Sequence, residues 1–350
     1  MYDENGKEKY DYKIDIVVTV QENNDVIDKF KSLGCGIIHL PHRQKQLFRY
    51  IMALCRIMYK GSYDIVHIHG NSATAVLELQ IAKWLGIKAR IIHNHSSCCQ
   101  HKILNKLLLP GYRRSFTQAI ACSIEAGEWL YGETQFTILR NAIKVEPFIF
   151  NVDKRKTMRC VFGFKDDEYV VGHIGIFMEA KNHSFLIEVF AKYHALQPKS
   201  KLLLIGDGEL RHLVEAAIDK NKVNDCVILA GLRSDIPDVL QAIDIFLFPS
   251  IYEGMPLSVL EAQAAGLPCF ISNCITKDVE IGEDVMSLSL QNTPRIWAKY
   301  IIDYSKDHTR RERCIKNCGL LTVAGYNIEK EADELRKIYL EEWCHEKRNK

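Results

Sequence analysis

The sequence predicts an α/β protein of two similar units, each a parallel sheet covered by helices, and three observations carry that prediction. The chain has 350 residues, enough for two domains with a core apiece. Short β-branched or apolar runs alternate with helical patterns from end to end, as in parallel α/β sheets. The alternation runs twice, on either side of a polar stretch, 144–166, that is broken by Pro147 and rich in charge. Apolar residues make up 47% and charged residues 26%, the values of an ordinary globular protein. No apolar run reaches the length of a membrane span.

Taken in order, the strands expected in the first half are Tyr12–Thr19, Gly36–Leu40, Asp64–His69, Ala89–His95, Ala119–Ser123 and Phe136–Asn141. Helical patterns lie between them, including Leu47–Tyr59 and Ala73–Leu85. Residues 144–166 read as an interdomain linker. The second half repeats the plan with strands at Val170–Gly175, Lys201–Gly206, Val227–Gly231, Asp244–Phe248 and Cys269–Ser272, and a last long helix covers about Ile328–Trp343. The expected division is therefore a Rossmann-like domain over 1–150, a second over 151–326, and a closing helix over 327–350.

The formal net charge of +2 hides an asymmetry: from Lys29 to Ile124 there are fourteen Lys and Arg against two acids, Asp64 and Glu78. A basic first half points to an anionic partner. Nucleic acid is set aside, because no recognition motif accompanies the charge. The twelve cysteines are mostly scattered singly through apolar runs, as at Cys35, Cys55, Cys122, Cys226 and Cys269, and no secretory leader is present, so free thiols in a reducing cytoplasm are expected. Cys98–Cys99 and the group Cys314, Cys318, Cys344 and His345 lack the spaced pairs of a zinc site. His67, His69, His93 and His95 sit at the ends of two separate strands with no acidic ligand beside them, and no metal is assigned to them.

The most informative stretch is Phe248–Pro268, FPSIYEGMPLSVLEAQAAGLP. A strand precedes it, Pro249-Ser250 breaks that strand, and Glu253 and Glu261 stand eight positions apart across a turn-to-helix junction. Pro256 suits the first helical turn, where its missing amide hydrogen costs nothing, and Gly266-Leu267-Pro268 stops the helix. Free amides near Gly254–Ser258 and the helix dipole make a site for a diphosphate or another anion. The spacing alone is a weak signal; two solvated glutamates produce it as readily.

The wording around the spacing is specific. The stretch resembles the E-x7-E signature of the retaining family-4 glycosyltransferases, enzymes of the GT-B fold. Further matches follow in the family's order: Gly172-His-Ile-Gly with Lys181-Asn182-His183, Gly206-Asp207-Gly208, Gly231-Leu232-Arg233, and Arg140-Asn141-Ala142-Ile143. The resemblance runs from about residue 11 onward and is strongest to bacterial capsule and exopolysaccharide transferases. It implies two Rossmann-like domains facing across a cleft, and transfer of a hexose from a nucleoside diphosphate sugar, expected to be UDP-linked, to a bacterial surface-polysaccharide acceptor with retention of configuration. By the same resemblance Glu253 contacts the donor sugar, Glu261 holds the ribose hydroxyls, Lys181 binds phosphate, Gly254, Met255, Leu257 and Ser258 line the sugar-phosphate, and His95 faces donor and acceptor. Gly206, Gly208 and Arg233 complete the donor site, with the Arg233 loop meeting the base through backbone contacts. No cofactor is implied. Lacking an Asp-x-Asp in a strand-end setting, the chain is expected to work without a metal.

Two departures stand out. Family members open with a strand, a Gly-rich loop and a helix that have no counterpart before Tyr12; Met1–Lys13 reads as the tail of that helix. In a doubly wound sheet that first strand is central, and its absence leaves two neighbours without a partner. The start then lies upstream, or the chain is a catalytically impaired nucleotide-sugar-binding remnant. The second departure is Ile176, where the family carries an arginine that pairs with the diphosphate. Sugar-nucleotide epimerisation on the same fold fits the wording around Glu253 less well. The basic, apolar stretches Arg43–Lys60 and Lys102–Arg114 have the composition of an interfacial surface, and also that of a core stripe with a solvated basic face. The family's lipid-linked acceptors favour peripheral contact with the inner face of the membrane.

Overall fold

In the computed structural model of the chain, residues 13–19, 24–96, 99, 101–304 and 309–348 are described. Two compact units emerge: 1–120, 125–137 and 339–350 form the first, and 121–124 with 138–338 the second.

The first unit runs β1 (Asp15–Val18), α1 (Asn24–Ser32), β2 (Gly36–His39), α2 (Leu47–Gly61), β3 (Ile65–His69), α3 (Val76–Trp84), β4 (Ala89–Asn94), α4 (Lys102–Arg113), β5 (Gln118–Ala121), α5 (Ile124–Tyr131) and β6 (Thr137–Ile138). Its strands form two sheets, a parallel pair β1-β2 and a four-stranded β3-β4-β5-β6. Among the described residues β1 pairs with β2 and β3 with β4. Tyr63, just before β3, donates to the Asp15 carboxylate at the start of β1 (2.6 Å). No residue of β3 is fully buried, whereas all but one in β4 are. Met1–Lys13, read as a helix tail, lies outside the described residues apart from Lys13.

The helices of this unit follow the expected patterns. Tyr50, Leu54 and Met58 line the buried stripe of α2 and pack with Ile81, Ala82 and Ile87. The 73–85 pattern starts as a 3-10 turn, Ala73–Ala75, before α3. Not all of the basic charge faces water: Arg43 pairs with the buried Glu78 (2.8 Å), whose other bond comes from the Tyr50 hydroxyl (2.9 Å).

The second unit contains α6 (Val152–Val161), β7 (Tyr169–Ile174), α7 (His183–Leu196), β8 (Ser200–Ile205), α8 (Arg211–Asn221), β9 (Val227–Leu229), α9 (Ile236–Ala242), β10 (Ile245–Phe248), α10 (Leu257–Ala264), β11 (Cys269–Ser272), β12 (Val285–Leu288), α11 (Pro294–Asp303), α12 (Arg310–Val323) and α13 (Ile328–Arg348), the last of which ends among residues of the first unit. Its six strands are parallel in the order β12-β11-β10-β7-β8-β9. Helices cover both faces, so β10 and β11 are buried at every position and read as unbroken apolar runs. The chain winds outward from β7 through β8 and β9, then returns to β10 and winds the other way. The boundary between β7 and β10 is therefore the switch point, where the strand ends leave a crevice for a ligand.

Three expectations need correction. The stretch 144–166 is not a linker: it holds a 3-10 turn and α6, and Phe148, Met158 and Phe164 join the second core. Asn151 caps α6 by accepting from the amides of Asp153 and Lys154 (2.9 and 3.0 Å). The units accordingly divide near 137, not 150. The Phe136–Asn141 strand shrinks to two residues in β6, and the edge strand β12 was not foreseen.

The charge that suggested a linker is used inside. Asp244, on the shoulder of β10, receives Arg155 (2.7 Å), Arg159 (3.2 Å) and the Val170 amide (2.9 Å). Removing the carboxylate strands two largely buried guanidinium groups. Asp244→Ala is expected to destabilise the protein by about 3–5 kcal/mol, measured as a lower denaturant midpoint in equilibrium unfolding.

Candidate active site

The loops leaving β7, β8, β9 and β10 meet at the switch point and lock together through their backbones. The β10 loop is latched to the β7 loop by the Ile251 amide on the Ala180 carbonyl (2.8 Å) and by the Asn182 side-chain amide on the Pro249 carbonyl (3.2 Å). Asn182 sits in the left-handed region (φ 55°), a conformation its side chain tolerates better than most. The β8 loop lies so close to the β7 loop that a Cβ on Gly206, itself at φ 141°, would fall 2.0 Å from the Gly175 carbonyl oxygen. Gly208 is similarly tight, 2.6 Å from the Phe177 carbonyl. The Gly206 amide donates to Gly231 at the end of β9 (2.9 Å), closing the chain of contacts. Gly206 and Gly208 are thus required by close backbone packing.

This interlock carries the charged groups. Lys181 Nζ meets Glu253 Oε1 at 2.6 Å, joining residues far apart in sequence on neighbouring strand-end loops. Both side chains are more than four-fifths buried, and Nζ also lies 4.7 Å above the Phe248 ring. Behind them His173 and His183 pack edge to face, their rings 4.9 Å apart. Burial, followed by the charge of Lys181, pushes His183 down to about 4. The hydroxyl of Ser250 is buried with no hydrogen-bond partner among the described residues. Sequence reasoning named Ser250, His173 and His183 within motifs but gave them no role; Ser250 follows the strand-breaking Pro249, and His183 opens α7 directly after Asn182.

Helix α10 starts at Leu257 with Pro256 as its N-cap, one position earlier than expected for that proline. Proline has no side-chain acceptor, so the first-turn amides of Leu257 and Ser258 carry no side-chain cap. A Cβ on Gly254 would meet nothing within 4 Å, so the space before the helix is open, with Met255 half-buried beside it. Glu261 lies one turn into α10. Its carboxylate has no hydrogen-bond or ion-pair partner among the described residues, and burial alone raises it to about 7.

The remaining expected residues fall elsewhere. Arg233 is held in its own loop by Asp235 (Nε to Oδ1, 2.8 Å) and covers the Phe162 ring, so its guanidinium is already engaged. Ile176 projects an apolar side chain that is 60% exposed at the end of the β7 loop. His95 belongs to the first unit, where it follows β4.

The matching family model is that of the group 1 glycosyl transferases, aligned over residues 154–347, more than half of the chain. The chain is a group 1 glycosyltransferase. Among curated relatives, the putative glycosyltransferase EpsF of Bacillus subtilis is 30% identical over 296 residues, spanning 81% of this chain and 76% of that protein. An Escherichia coli enzyme named UDP-Gal:alpha-D-GlcNAc-diphosphoundecaprenol alpha-1,3-galactosyltransferase is 28% identical, covering 83% of this chain and 79% of its own length. Of solved structures, Anabaena HepE in complex with UDP and glucose matches with a TM-score of 0.74 at 15% identity, covering 92% of this glycosyltransferase and 90% of HepE. That likeness shows the fold, GT-B, as the sequence implied.

In this glycosyltransferase four histidines of the first unit form one group. Register pairs His69 with His93, so His67, His69, His93 and His95 line one face of β3 and β4. The separation onto two strands, which argued against a common site in the sequence, is undone by that register. His69 Nδ1 lies 2.8 Å from His95 Nε2, and His67 Nδ1 lies 2.7 Å from the Tyr339 hydroxyl. Burial, then the proximity of His69 and His95, pushes His67 down to about 3; burial, then His95, pushes His69 down to about 4.

Glu261 gives a direct test of its environment. The folded protein keeps its proton up to about 7, whereas the ordinary carboxyl value is 4.5. Its contribution to stability is therefore complete below about 4.5 and lost as the pH rises through about 7. Glu261→Gln removes this slope. Denaturant unfolding should find the variant more stable than the parent at pH 8, by up to about 3 kcal/mol, with the gap closing at pH 4.5.

Proposed function

We propose that the chain transfers a hexose from a UDP-sugar to a growing bacterial surface polysaccharide, with retention at the anomeric carbon and without a metal. The observation that carries this is the meeting of Lys181 and Glu253 at 2.6 Å beside the uncapped start of α10, with the unpartnered Glu261 carboxylate one turn along it. A donor diphosphate needs positive charge that is already in place when the glycosidic bond breaks. Lys181 supplies one unit, and the amides of Gly254, Met255, Leu257 and Ser258 with the helix dipole supply the rest. An ammonium has three donors, so Lys181 can keep Glu253 while binding a phosphate oxygen. Glu253 is then oriented to receive sugar hydroxyls. A carboxylate as desolvated as Glu261 gains strongly from accepting two ribose hydroxyls. His95 would face the acceptor, as the family resemblance implies.

The printed name of the Escherichia coli relative, with its UDP-galactose donor and diphosphoundecaprenol-linked acceptor, supports a UDP-sugar and a lipid-linked saccharide here. The name of the Staphylococcus aureus capsular polysaccharide biosynthesis glycosyltransferase CapH, 21% identical over 342 residues, supports a surface-polysaccharide product. Incubation of the protein with a panel of UDP-sugars and lipid-linked acceptors tests the reading. Transfer with retained anomeric configuration is expected, and absence of both transfer and Glu261-dependent nucleotide binding would overturn it. A second reading, donor binding without transfer, is favoured by Ile176, which stands where the family resemblance implies an arginine on the diphosphate. It predicts UDP binding with no product.

Phosphate binding in which Lys181 is the one side-chain cation has a measurable signature. In calorimetric titrations with UDP, Lys181→Ala is expected to remove nearly all binding. Ile176→Arg is expected to tighten binding about ten-fold, the scale of one charge-assisted hydrogen bond. If Ile176→Arg binds no better than the parent, the missing arginine does not limit the site.

Peripheral membrane contact is part of the same proposal. No described helix is long and apolar enough to cross a membrane. On α2 the face opposite the buried stripe exposes Phe48, Met52 and Tyr59, and on α4 Ile103 and Leu107 are exposed one turn apart beside Lys102 and Lys106. Such faces bind anionic interfaces by combining apolar insertion with charge. Co-sedimentation with vesicles containing anionic phosphatidylglycerol should retain the protein, and Phe48→Ser with Ile103→Ser should release it. Equal retention by the double variant would place the contact elsewhere.

A further inference from the structure

We propose that His67, His69 and His93, with His95 as the fourth ligand, form a binding site for a borderline divalent transition ion such as Zn²⁺. This is a site apart from the donor-binding residues of the second unit. Ligand nitrogens of His67, His69 and His93 all lie within 4.8 Å of one another, and the His93 and His95 rings are 4.1 Å apart. Zn–N bonds of about 2.0–2.1 Å in a tetrahedron place nitrogens about 3.3 Å apart. The rings are stacked, with interplanar angles of 21° for His67–His69 and 17° for His69–His95, so binding turns them until one nitrogen of each faces the ion.

Three features favour an ion over a simple histidine stack. First, the donor set is all imidazole, which suits Zn²⁺, Ni²⁺ and Cu²⁺ and disfavours Mg²⁺ and Ca²⁺. Second, His67 is already oriented as a ligand. Its Nδ1 is tied to the Tyr339 hydroxyl, while its Nε2 is buried with no hydrogen-bond partner among the described residues. Metal-ligating histidines engage their second nitrogen in this way, and the bond fixes the ring. Third, the register of β3 against β4 brings the rings together, with His67–His69 centroids 4.4 Å and His69–His95 centroids 5.1 Å apart. Access is from the side of His69 and His95, both exposed, while His93 closes the other. Binding exchanges the 2.8 Å His69–His95 hydrogen bond for two bonds to the ion.

If His95 serves the acceptor, which rests on the function proposed above, an occupied site withdraws it and the ion acts as an inhibitor of transfer. The binding itself is independent of that reading and is measured separately. The untagged full chain is titrated with Zn²⁺ against a chromophoric chelator, and with Co²⁺ by visible absorption. One ion per chain is expected, with the intense visible band of a tetrahedral nitrogen site for cobalt. His69→Gln should weaken Zn²⁺ by more than the about 10–100-fold that loss of an outer-shell partner costs, and Tyr339→Phe by about ten-fold. Neither change should alter UDP affinity, and circular dichroism should match the parent. Should His69→Gln fail to fold, the Tyr339→Phe titration decides alone. No stoichiometric ion, or an affinity indifferent to these changes, overturns the proposal.

Discussion

The proposed donor site depends on one contact, the ion pair between Lys181 and Glu253. It exists because β7 and β10 are neighbours in space although two strands intervene in sequence. The winding of the sheet reverses between them, so their carboxyl ends part and leave room for a ligand, and the two loops that flank the room supply the opposite charges. A pair this buried loses much of its hydration, and the return depends on fixed geometry. The backbone latches at Ile251 and Asn182 provide that geometry, and the close approach of Gly206 to Gly175 extends it to the β8 loop.

Several groups at this junction are individually unfavourable. Glu261 is desolvated without a counter-charge, the Ser250 hydroxyl has no partner among the described residues, and Asn182 adopts a left-handed backbone. Behind them stand strands buried at every position, β10 and β11, and the Asp244 cluster that ties α6 to the sheet. The rigid, apolar part of the unit thus supports a polar edge arranged for something other than stability.

Much of this was legible in the sequence. Parallel strands covered on both faces announce themselves as apolar runs, so β7, β8, β10 and β11 were placed to within a residue or two. Glu253 and Lys181, named from the motif wording, lie 2.6 Å apart, and Gly206 and Gly208, named the same way, sit where a Cβ would clash, because such wording preserves backbone geometry as well as chemistry. What failed has physical reasons. The charge of 144–166 concealed α6, because Arg155 and Arg159 point inward to Asp244, and composition does not reveal which way a side chain faces. The edge strand β12 has one strand partner and a half-exposed pattern, a weak signal. The four histidines were named together in the sequence, but that they share one face depends on the register of β3 against β4, which periodicity within either strand does not specify. The pairing of the Arg233 side chain with Asp235, two residues away, was likewise not legible, while the expectation for this loop concerned its backbone.

The central claim is that the edge between β7 and β10 is a nucleotide diphosphate site, with Lys181 and the start of α10 on the diphosphate and Glu261 on the ribose. The most direct measurement is a crystal structure of the protein grown with UDP. The account predicts the ribose hydroxyls within hydrogen-bond distance of the Glu261 carboxylate, and the diphosphate against the amides between Gly254 and Ser258 with Lys181 Nζ in contact. UDP bound away from this edge, or bound here with Glu261 turned away from the ribose, would contradict it.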